Sequence, residues 1–144
     1  MMTDEQRAKT AWLNRAFYAD NKIKALEEVR KKNKSIAERC TASYESDGTT
    51  SGSHNNSQEK ILHQLCDDDL KIQTEYRELC AVRDEIRDAI TAVHNDEYET
   101  ILYMRHLAYM TVQAIAEDLH YDRKTIQRKY IRALDLIETV GKCP

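Results

Sequence analysis

The chain has 144 residues, of which 41% are hydrophobic and 33% charged, so it can form one domain or two small ones with modest cores and a large solvated surface. Its 22 Lys and Arg against 25 Asp and Glu give a formal net charge of -3, which excludes a uniformly basic polyanion binder and leaves only local charge to consider. No apolar run is long enough to cross a bilayer, and the start MMTDEQRAKT lacks the basic-then-apolar order of a signal peptide, so a cytoplasmic protein is expected.

Thr3 to Cys40 reads as one continuous helix. Thr3 and Gln6 have capping-box spacing, no Gly or Pro intervenes, and Trp12, Ala16, Ala19, Ile23, Leu26, Ala37 and Cys40 recur at steps of three and four. Arg30 and Asn33 interrupt this stripe, as polar residues do where they fix the register of a helix seam. The polar stretch ASYESDGTTSGSHNNSQ, Ala42 to Gln58, holds two of the three glycines and reads as a flexible connector that reverses the chain.

Asn56 and Glu59 restart a helix at capping-box spacing, and it runs to about Asn95. Leu62, Leu65, Ile72, Tyr76, Leu79, Ile86, Ile90 and Val93 follow a heptad, broken at Asp69 and Arg83. Two such helices make an antiparallel, coiled-coil-like hairpin. Each buries only one stripe, so a second hairpin is expected to complete the core, giving a homodimer or higher oligomer.

The rest carries three short helices. Asn95–Tyr109 presents Tyr98, Ile101, Leu102 and Leu107; Thr111–Leu119 presents Val112, Ile115, Ala116 and Leu119; Arg123–Val140 presents Ile126, Tyr130, Ala133, Leu134 and Ile137 at helical spacing. Thr111 and Asp122 stand at N-cap positions. The fold class is therefore all-α: a hairpin over residues 1–93, with its loop at about 42–57, followed by a three-helix helix-turn-helix domain over 94–144.

On the last helix, Arg123, Lys124, Gln127, Arg128 and Lys129, with Arg132 a turn further, lie off the apolar stripe. Such a row reaches phosphates and base edges in a major groove, where Arg and Gln make bidentate hydrogen bonds. Ala116 is small where the next helix crosses, and the Tyr121 ring is placed to pack under the turn.

The other chemical readings are weaker. His63 and Cys66 lie one turn apart but have no second ligand pair, so they read as a helix-face histidine and a buried thiol, with no metal site. The four cysteines Cys40, Cys66, Cys80 and Cys143 form no CxxC pair and read as free thiols. Asp67, Asp68 and Asp69 point in successive directions around a helix and read as solvated surface. Three glycines cannot supply a phosphate-cradling loop, and no HExxH or nucleophile-elbow motif occurs, so neither catalysis nor a cofactor is expected.

The segment DEYETILYMRHLAYMTVQAIAEDLHYDRKTIQRKYIRALDLIE, Asp96 to Glu138, resembles region 4 of bacterial sigma factors, including the closing Arg132-Ala133-Leu134-Asp135-Leu136. The whole chain is similar in layout to small phage and prophage regulators of sigma-region-4-like type, related to the RinA and ArpU late activators. The resemblance implies a site-specific transcription regulator of a bacterial host, nucleoid-associated, binding double-stranded DNA, with RNA polymerase as a further partner. It implies that Arg123, Lys124, Gln127 and Arg128 face the groove, that Thr111 meets a backbone phosphate through its helix N-terminus, and that Arg132 approaches a flanking phosphate. The chain departs from that pattern at His120, where glycine is usual, and at Lys129, where an aliphatic residue is usual. Two further readings are a packaging protein similar to small terminase subunits, which usually place the DNA-binding domain first, and a pure protein-interaction module.

Overall fold

A computed structural model describes the backbone of residues 2–47 and 52–138 and the side chains of 2–39 and 58–138. The described residues are all-helical: α1 (Asp4–Leu13), α2 (Arg15–Asp47), α3 (Gly52–Thr91), α4 (Asp96–His106), α5 (Val112–Leu119) and α6 (Arg123–Leu136). Cys40 and Cys143 lie outside the described side chains.

The capping box forms as expected. Gln6 N donates to Thr3 Oγ1 at 3.2 Å, and Thr3 N donates to Gln6 Oε1 at 2.9 Å. The helix expected from Thr3 to Cys40 forms as a long helix with a bend at Asn14, where α1 gives way to α2 through one residue at φ -76° and ψ -3° that still donates to Thr10 O at 2.9 Å and accepts from Tyr18 N at 3.2 Å. The bend is supported from the side: Arg15 Nε donates to Trp12 O at 3.0 Å, its guanidinium sits 4.6 Å over the Trp12 ring, and Nη2 pairs with Glu85 at 2.8 Å. A side chain thus satisfies a carbonyl near the end of α1.

Helical structure also reaches further into the expected connector than its polarity suggested. α2 continues to Asp47 and α3 begins at Gly52, so Asn56 is inside a helix and does not cap one; residues 48–51 lie outside the described backbone. Polarity does not break a helix, and residues 42–47, ASYESD, contain no Gly or Pro.

The chain divides into two compact units, Met1–Ala19 with Leu79–Pro144, and Asp20–Glu78. This division differs from the expected 1–93 and 94–144, because α1 and the end of α3 gather with α4, α5 and α6.

Within Asp20–Glu78, α2 and α3 run antiparallel. Lys22 pairs with Glu75 at 2.9 Å, Tyr76 Oη donates to Glu27 at 2.7 Å, Arg30 forks onto Asp69, and Asn33 Nδ2 donates to Asp68 at 2.8 Å. The polar interruptions of the two stripes therefore meet each other. Asp68 and Asp69, expected as solvated surface, are half-buried partners. The pairing with Asp69 raises the Arg30 pKa, chiefly through the hydrogen bond.

The apolar core of this unit is thin. Ile23 and Ile72 are buried, whereas Leu62 and Tyr76, both expected in the seam, are exposed, as are Val29 and Leu70. Cys66, expected to be buried, is exposed too.

In the other unit Leu13, Ala16, Ile86, Ala89 and Ile90 join Ile101, Leu102, Ile115, Ala116, Ile126, Ala133, Leu134 and Ile137 in one buried set. α1 lies against α6: Gln6 Nε2 donates to Asp135 Oδ1 at 2.7 Å, and Lys9 Nζ to Asp135 O at 3.4 Å. Arg83, an interruption of the α3 heptad, donates to Leu107 O at 3.1 Å and to Tyr109 Oη at 2.8 Å.

Candidate nucleic-acid interface

Local chemistry sets the ends of α4, α5 and α6. Asn95 accepts from Tyr98 N, Thr111 from Ala114 N and Asp122 from Thr125 N, at 3.1, 3.1 and 3.3 Å. These bonds satisfy helix donors that would otherwise lack partners, and the bond to Thr125 holds the Asp122 carboxyl below its usual range. α5 closes at His120, which takes the left-handed conformation, φ 60° and ψ 40°, in the position where the resemblance leads one to expect glycine. His120 N reaches Glu117 O and Tyr121 N reaches Ala116 O at 2.9 Å, the paired bonds of a Schellman ending. The chain then turns within His120–Asp122 into α6.

α6 has two faces. Ile126, Tyr130, Ala133 and Leu134 are buried against the neighbouring helices, as their spacing predicted. The helix ends at Leu136 and not at Val140: Ile137, at ψ 128°, leaves helical geometry while staying buried, and residues 139 and 140 lie outside the description.

The opposite face gathers the sequence-derived candidates. Arg123, Lys124, Gln127 and Arg128 together line an open recess of ≈ 500 Å³. A smaller one of ≈ 110 Å³ beside it is lined by Thr125, Arg128, Lys129 and Arg132. Arg123, Lys124, Arg128 and Arg132 are exposed, and none forms an ion pair among the described residues. Four cations thus lie along one helix whose other side is core.

Two candidates stand apart. Thr111 is exposed, but its Oγ1 is engaged as the α5 cap, and it lines neither recess. Lys129, expected among the outward groups, is half-buried and pairs with Glu97 at 2.5 Å. Their hydrogen bond holds the Glu97 carboxyl below its usual range and Lys129 above its own. Tyr121 is 44% exposed and is not packed under the turn; its hydroxyl donates to Glu97 at 3.2 Å, and Lys129 Nζ lies 5.0 Å from its ring. Glu97 on α4 therefore ties the turn to α6. Sequence reasoning passed over this residue because its partners are 24 and 32 positions away.

A second group missed in the sequence lies behind α6. His106 is 1% exposed, its Nε2 is 2.9 Å from Tyr130 Oη, and Tyr130 Oη is 3.4 Å from Thr10 Oγ1, which links α4, α6 and α1. Burial, reinforced by Arg105, lowers the His106 pKa to about 3, so the ring is neutral at physiological pH. Among the described residues its Nδ1 has no hydrogen-bond partner. The only hint in the sequence is that His106 falls on the face of α4 that carries Leu102.

Among the described residues no three His, Cys, Asp or Glu side chains converge to hold a metal ion, and no helix is long and apolar enough to cross a membrane. No protein family, curated protein or solved structure matches the chain.

Proposed function

We propose that the protein is a sequence-specific regulator of transcription, of phage or prophage type and sigma-region-4-like, that binds double-stranded DNA through a helix-turn-helix formed by α5 and α6. The observation that carries this reading is the shared outward face of Arg123, Lys124, Gln127 and Arg128, unpaired on a helix anchored by its buried side. Net charge of -3 is no obstacle, since a phosphate backbone responds to the local field and salt weakens the contact as counterions return. In this reading Arg and Gln side chains read base edges, while Arg132 and the N-terminus of α5 at Thr111 serve backbone phosphates. Lys129, held by Glu97, supports the helix and leaves the contacting set.

The second part of the proposal is self-association through Asp20–Glu78. Among its described residues that unit buries few apolar side chains and leaves Val29, Leu62 and Leu70 exposed, as expected of a helix pair that completes its core with another copy. A two-fold dimer then reads paired half-sites. A large ring would instead favour a packaging role of small-terminase type, and partner binding untouched by loss of the α6 cations would favour a module that docks on RNA polymerase or another protein.

The test is selection from a genomic DNA fragment library by the purified protein across a salt series, beside the Arg123→Ala/Lys124→Ala/Arg128→Ala variant. Discrete sites, lost in the variant and weakened by salt, are the expected outcome. Absence of enrichment at every salt concentration refutes stand-alone DNA binding.

A further inference from the structure

A third recess has a different chemistry. Asn14, Phe17, Tyr18, Arg105 and Tyr109 enclose ≈ 200 Å³ at the bend between α1 and α2. Phe17 meets Tyr109 edge-on at 5.5 Å and Tyr18 at 5.7 Å, yet Phe17 is 40% and Tyr18 65% exposed, so both rings keep surface available.

The charges here are of one sign. Arg105 is half-buried, and its described partner is a carbonyl, Met110 O at 2.9 Å; it forms no ion pair among the described residues. Arg83 adds a second guanidinium 5.7 Å from the Tyr109 ring. Among the described residues no carboxylate lines the recess. The backbone is also constrained, since Tyr109 holds a positive φ of 60° that tyrosine rarely takes, a form of strain that concentrates at binding sites.

We propose that this recess binds a carboxylate carried on a small aromatic or aliphatic frame, the anion meeting Arg105 and the frame lying against Phe17 and Tyr18. Three features select that class. The volume is below that of sites for drug-sized ligands and suits one side-chain-sized group. The planar guanidinium, with N–H donors beyond the one given to Met110, matches a carboxylate in two-point geometry. The Phe17 and Tyr18 rings border a recess whose exposed lining is chiefly polar, and they favour a planar frame with polar edges over a bare, strongly hydrated inorganic anion. The group arrives either on a free small acid or on an acidic peptide. The site uses none of the α6 residues assigned to DNA, so it stands or falls apart from that reading.

Arg105 also carries the site toward α5. Met110, whose carbonyl it holds, directly precedes the Thr111 cap, so a ligand that competes for the guanidinium pulls on the entry to that helix.

The test is an NMR titration of the full chain with benzoate, and in parallel with benzamide, inorganic phosphate and the dipeptide acetyl-Asp-Phe-amide. Benzoate is expected to shift the amides of Phe17, Arg105 and Tyr109 saturably, in the millimolar range appropriate to a fragment, with benzamide and phosphate at least about tenfold weaker. Tyr18→Ala, which leaves the Arg105–Met110 bond in place, and Arg105→Gln should each weaken benzoate, whereas Arg123→Ala should not. Tighter binding of the dipeptide than of benzoate identifies a peptide as the source, and exclusion of the dipeptide identifies a free acid. Either supports the site. No saturable shift with benzoate or the dipeptide, or equal binding of benzoate and benzamide, overturns it.

Discussion

His106 makes the stability of its unit depend on pH in a way that can be calculated. The ring has an ordinary pKa of 6.5 and one of about 3 in the folded chain, lowered by burial and by Arg105. The unfolded chain therefore binds the proton more readily, and the stability due to neutral His106 is present above about pH 6.5 and is lost as pH falls toward 3. The slope approaches 1.36 kcal/mol per pH unit, which gives a loss of about 2 kcal/mol between pH 8 and pH 5. With the ring 1% exposed, solvent screening removes little of this.

The groups around the ring offer no relief. Tyr130 faces it from α6, with Thr10 behind from α1, and the charge that acts on it, Arg105 on α4, is positive. The assay is urea unfolding followed by circular dichroism at pH 8, 7, 6 and 5, for the wild type and for His106→Gln. Other groups titrate in both proteins, so the quantity of interest is the difference between them. That difference should shrink in favour of the variant by about 2 kcal/mol from pH 8 to pH 5, corresponding to about 6 °C in melting temperature. A difference that does not change with pH refutes the assignment of a buried neutral histidine.

Three other outcomes are expected. Glu97→Gln releases Lys129 from its ion pair, so DNA binding should steepen with salt by close to one additional phosphate contact, a slope change of about 0.9; an unchanged slope would show that Lys129 does not reach the backbone. Thr111→Ala removes the α5 cap and should cost about 1 kcal/mol in denaturant unfolding, with Thr111→Ser close to wild type. His120→Gly removes the positive-φ penalty at the turn and should raise stability by about 0.5–1 kcal/mol, and a loss would mean that the imidazole does more than tolerate the turn.

The parts legible in the sequence were those governed by neighbours a few positions away. Thr3 with Gln6, Thr111 and Asp122 act as caps because capping is a contact across three residues, and the Ile126–Tyr130–Ala133–Leu134 stripe is a consequence of helical period alone. The same logic brought Arg123, Lys124, Gln127 and Arg128 to one surface.

What escaped was set by partners far along the chain. Lys129 stands three residues after buried Ile126 and four before buried Ala133, at the edge of the apolar stripe, and the partner that fixes its ammonium, Glu97, is on another helix. Gln6 reads as half of a capping box, and nothing near it announces the bond to Asp135 that places α1 against α6. The bend at Asn14 is flanked likewise by Arg15, which reaches both Trp12 and, far along the chain, Glu85. Helix extends into the polar connector for a different reason, since low hydrophobicity does not by itself prevent helix formation.

The meeting of Arg30 with Asp69 and of Asn33 with Asp68 bears on how this chain can change over time. Arg30 and Asp69 are 39% and 48% exposed and Asn33 and Asp68 half-buried, so water partly screens each pair. Loss of one residue leaves its counterpart half-buried without that partner, whereas joint replacement by two hydrophobic residues adds apolar contact to the seam. Diverging copies of the protein should therefore alter positions 30 and 69 in step, as they should 33 and 68. The same pairing resists insertion: displacing α3 by one heptad would set the Arg30 guanidinium against Leu62 or Tyr76, so tolerated insertions should be confined to places where the two helices can move together.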